Sequence, residues 1–146
     1  MTTTGLDVFD RTVQEANIWL KLLGECLFAK RHESYVALRA VLHALRDSIG
    51  RDNAIHLGAQ LPTLIRGIYY EGWTADATGT KERHSADFLL RVRSELPDNT
   101  RLDPEQCTRA VFEVLWDKID PGEIEKLIEL FPNELRALWP RLARAD

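Results

Sequence analysis

The sequence predicts an all-α fold, a tandem duplication of a roughly four-helix unit packed into one helical domain, and three observations predict it. Apolar residues recur at steps of three and four, as the 3.6-residue turn of an amphipathic helix requires. No segment alternates apolar and polar residues with the period of two that a half-buried strand shows. Residues 39–69, "RAVLHALRDSIGRDNAIHLGAQLPTLIRGIY", align without a gap on residues 109–139, "RAVFEVLWDKIDPGEIEKLIELFPNELRALW", at a constant offset of 70. The two strings share nine identities over 31 positions, where average composition gives roughly two or three. They are Arg39/Arg109, Ala40/Ala110, Val41/Val111, Leu45/Leu115, Asp47/Asp117, Ile49/Ile119, Leu57/Leu127, Pro62/Pro132 and Arg66/Arg136. Such self-similarity is the mark of a repeated structural unit.

The first helix is read from Leu6, Phe9, Val13, Ala16, Leu20, Leu23 and Leu27, one apolar stripe about six turns long. Thr4 is its expected N-cap, with Asp7 placed to favour the helix dipole. Leu38, Val41, Leu42, Leu45 and Ile49 form one face of a second helix, which Gly50 closes. Asp52 or Asn53 is expected to cap a short third helix reaching Gln60, and Pro62 suits the first turn of a fourth. The second copy repeats this plan with Asp103 and Pro104, Asp120 and Pro121, and Pro132. Upstream of each copy stands a short echo, Phe9 to Val13 and Phe88 to Val92, both Phe-x-x-x-Val. Nine extra residues follow the first echo, so the first leading helix should be the longer. The repeat units are expected at about residues 5–73 and 83–142 of a single domain spanning 1–146, with "EGWTADATGTKE" as the linker over about 71–82.

Size and composition are compatible with one shared core. The chain has 146 residues, 45% apolar and 29% charged, and a chain this long buries roughly two-thirds of its unfolded surface. A formal net charge of −4 disfavours phosphate neutralisation, and no basic recognition helix stands out, so nucleic acid is not an expected partner. The stretch "MTTTGLDVFDR" has no basic region followed by an apolar core, and no apolar run reaches the roughly 18 residues of a membrane span. A cytoplasmic, soluble protein is expected. Cys26 and Cys107 lie in helical apolar patterns and are read as small buried thiols.

The repeat also sorts the polar residues. His43 faces Glu113 in the alignment and His56 faces Lys126; both fall off the apolar stripes, so both are expected on the surface. The histidines His32, His43, His56 and His84 show no paired metal-ligand spacing, and neither a metal nor a cofactor is expected. Arg39, Asp47 and Arg66 recur as Arg109, Asp117 and Arg136, which suggests one local task in each unit. The expected task is a carboxylate at the end of the second helix clamping the arginine of the fourth. Features found only in the first half are the place for a specialised role. They give a candidate binding surface of His43, His56, Arg66, Tyr70, Glu71, Trp73 and His84, with Gln60 nearby; rings with polar tips suit interfaces, and Trp73 also suits anchoring of the linker.

Four blocks, "YVALRAVLHALRDSI", "HLGAQLPTLIRGIYYEGW", "KERHSADFLLRV" and "GEIEKLIELFPNELRALWP", resemble the bacterial family catalogued as domain of unknown function 2267. The resemblance runs from about Asp7 to Pro140. It implies an all-helical protein of bacterial origin, and it transfers no catalytic residue, cofactor or reaction.

The expected function is a non-enzymatic protein-interaction or self-association module, because Ile18, Trp19 and Leu22 widen the apolar face of the first helix beyond what one domain side needs. Its partner is an unknown protein or a second copy. The alternative is a small-molecule or anion-binding protein, conceivably an enzyme, on the first-half surface. No Ser-His-Asp order, phosphate loop or metal motif accompanies those residues.

Overall fold

The computed structural model describes residues 4–74 and 84–140. Eight helices and no strand occur among the described residues: α1 (Asp7–Leu27), α2 (Arg31–Ser48), α3 (Arg51–Ala59), α4 (Thr63–Tyr70), α5 (Ser85–Glu95), α6 (Pro104–Lys118), α7 (Pro121–Glu129) and α8 (Asn133–Arg136). The fold is all-α. Most of the expected linker, residues 75–82, and the expected end of the second unit, residues 141–142, lie outside the described residues.

The helix limits follow local chemistry. Gly50 takes φ 87 between α2 and α3, a left-handed turn that glycine makes without a Cβ clash. Asp103 accepts a hydrogen bond from the Gln106 amide at 3.0 Å and Asp120 one from the Gly122 amide at 3.1 Å, with Pro104 and Pro121 as first helical residues. Side-chain oxygens thereby take amides that have no partner within the helix.

Four helix starts differ from the sequence reading. Thr4 does not cap α1: the helix starts after Leu6, and the Thr4 hydroxyl donates to Asp10 at 2.8 Å instead. Neither Asp52 nor Asn53 caps α3, which begins directly after Gly50; the Asn53 amide donates back to Ile49 O at 2.8 Å. Pro62 and Pro132 stand just before α4 and α8 in extended backbone rather than in the first turn.

The central helix is α2, packed against α1, α3, α4, α5 and α6. Its expected apolar face, Leu38, Val41, Leu42, Leu45 and Ile49, is buried, and so are Ala37, Ala40 and Ala44 on other sides. In the second half Phe112 stacks on Trp139 with ring centroids 4.0 Å apart and planes 15° apart, beside Phe88 and Phe131. Stacked aromatics of this size dominate core energetics. Leading helix α1 has 21 residues and α5 has 11. Only the later turns of α1 enter the core, through Ala16, Trp19 and Leu23. The earlier turns overhang, leaving Leu6, Phe9 and Val13 exposed.

The cysteines part company. Cys107 is buried as expected, whereas Cys26, in the last turn of α1, is exposed.

Candidate functional site

On α2, Arg39, His43 and Arg46 are spaced i, i+4, i+7 and so share one helical face. That face meets the end of α4, whose last carbonyls have no partner within their own helix. His43 Nε2 donates to Ile68 O at 2.8 Å, and Arg46 Nη1 donates to Tyr69 O at 2.9 Å and Glu71 O at 3.0 Å. Two basic side chains therefore close the C-terminus of α4, where positive charge is favoured. Arg39 binds Glu71 at 2.9 Å and Glu95 of α5 at 3.3 Å. Glu95 also lies 3.0 Å from His43 Nδ1. Because the Ile68 carbonyl only accepts, Nε2 carries a hydrogen.

His43 is 3% exposed, which corrects the expectation that it lies on the surface. Its off-stripe position means little on a helix wrapped by five others. The polar group works as a latch joining α2, α4 and α5, with its donors engaged inside the protein.

The recurring arginines split into two cases. Arg66 Nε donates to Gly58 O at 2.8 Å and its Nη2 to Leu61 O at 2.8 Å. Arg136 Nε donates to Phe131 O at 2.7 Å and its Nη2 to Glu129 O at 3.0 Å. Each thus holds carbonyls at the end of the preceding short helix. The expected carboxylate clamp is absent: Asp47 pairs with Arg46 at 2.9 Å, and Asp117 lies 3.9 Å from Lys118. Arg39 and Arg109 diverge too, the latter binding Glu105 and Ala137 O.

Tyr70 packs its ring on Trp73 at 5.5 Å and points its hydroxyl to Ile55 O at 3.3 Å. This is possible only over Gly58, where an added Cβ would stand 2.2 Å from the Tyr70 hydroxyl oxygen. Trp73 is half-buried against the core.

His56 lies elsewhere, on α3, and hydrogen-bonds Glu123 of α7. That bond, before any other cause, holds the Glu123 carboxyl below its usual range. The two short helices enclose a cleft of about 130 Å³ lined by Asn53, His56, Leu57 and Gln60 on one side and Glu123, Lys126, Leu127 and Leu130 on the other, with Ile119 between them. The sides correspond at the offset of 70, residue for residue. Of the seven residues of the expected binding surface, the cleft takes in His56 and none of the other six. His84 is at a third place, 3.2 Å from Glu134, whose carboxyl it and Ser85 hold below the usual range. Among the described residues no three His, Cys, Asp or Glu side chains converge as metal ligands would, and no helix is long and apolar enough to cross a membrane.

Sequence reading missed Glu95, the hub of the latch, and Arg46. The regular i, i+4, i+7 spacing on α2 was the available signal; nothing local marks Glu95, which arrives from 52 residues beyond His43.

Residues 16–138 match the family model described as an uncharacterized conserved protein (DUF2267). The chain belongs to that family. No curated protein matches it. The DUF2267 match takes in the latch, both arginine clamps and the α3/α7 cleft, and it begins at Ala16, so the overhanging turns of α1 lie before it.

Proposed function

We propose that this protein is a non-enzymatic interaction module, built on a duplicated helical unit and working in the cytoplasm, that associates with its own copy through the overhanging turns of α1. The observation that carries the reading is the opposite fate of two like patterns. Phe88 and Val92 of α5 are 0% exposed, while Phe9 and Val13 of α1 are 57% and 40% exposed. Leu6 continues the uncovered stripe, and the Leu64 amide, bonded to the Thr12 hydroxyl at 3.1 Å, brings half-exposed Leu64 to the same part of α1.

Burying such side chains yields about 1.5–3 kcal/mol each, against an association cost of about 4–15 kcal/mol. The balance favours a weak, concentration-dependent complex. A catalytic or anion-binding role has less support, since the guanidinium groups of Arg39, Arg46 and Arg66 are occupied by carboxylates and carbonyls.

Sedimentation velocity across the micromolar range tests the reading. The wild-type protein should shift from monomer to larger species with concentration, and Phe9→Asp should remain monomeric with unchanged helix content. A wild-type protein that stays monomeric at high micromolar concentration overturns it.

A further inference from the structure

We draw no further inference here: the strongest candidate, the surface patch at the end of α1 formed by Phe28, whose ring is 90% exposed on left-handed backbone, carries none because nothing in the structure shows what covers it.

Discussion

Phe9-x-x-x-Val13 and Phe88-x-x-x-Val92 are the same pattern on two leading helices, and the protein treats them oppositely. On α5 both residues reach the core, Phe88 lying 6.0 Å from Phe112. On α1 the core begins a turn later, at Ala16, and the same residues extend past it. A helical pattern thus marks which face is apolar; which neighbours pack on that face decides whether it is covered.

The largest effect that can break this comparison is in truncation of the two phenylalanines. Phe88→Ala should cost about 3–5 kcal/mol of unfolding free energy, as emptying a packed aromatic site does. Phe9→Ala should change monomer stability by no more than about 0.5 kcal/mol, the range of ordinary surface substitutions. Urea denaturation of dilute protein measures both; equal costs would mean that the overhang is part of the core.

Next comes the latch, which exists in the first half alone, since Glu113 and Trp116 stand where His43 and Arg46 would be. Glu95→Ala should destabilise by about 1–3 kcal/mol, because His43 Nδ1 is left buried without its partner. His43→Leu with Glu95→Ala should cost less than the two changes summed, as expected of groups in one network.

A smaller effect concerns acid. Glu33 is held below its usual 4.5, first by the Lys30 amide and then by Arg101. A carboxyl lowered by folding adds stability that is present above its unfolded value and disappears as the pH falls through its folded one. Stability should therefore decline on going below about pH 4.5, and Glu33→Gln should flatten that decline. An unchanged acid limb would show that the Arg101–Glu33 contact contributes nothing. The smallest effect is chemical. Burial pushes the Cys107 thiol up to about 11, so at neutral pH a thiol reagent should label exposed Cys26 first and Cys107 only on unfolding. Equal labelling rates would break this second contrast between covered and uncovered positions.

The all-helical fold, the glycine stop at Gly50 and the Asp-Pro starts of α6 and α7 were legible because each depends on residues a few positions apart. The candidate surface was not. Burial of His43 depends on five helices converging on α2, and Arg66 takes carbonyls rather than Asp47, since backbone oxygens leave no trace in side-chain identity. Exposure of Cys26, three residues from buried Leu23, likewise depends on which elements reach that part of α1. Recurring Arg66 and Arg136 did point to a shared task, but only the geometry shows what it is.

The crowding of Gly58 by Tyr70 sets a condition on substitution at either position. Seventy residues on, Ile128 and Pro140 occupy the corresponding positions: a bulky aliphatic group where the first half has a hydrogen, and a small ring where it has a phenol. Bulk stands at a different one of the two sites in each half. A side chain at position 58 would have to displace the Tyr70 ring, so Gly58→Ala should be tolerated better once Tyr70 is shortened.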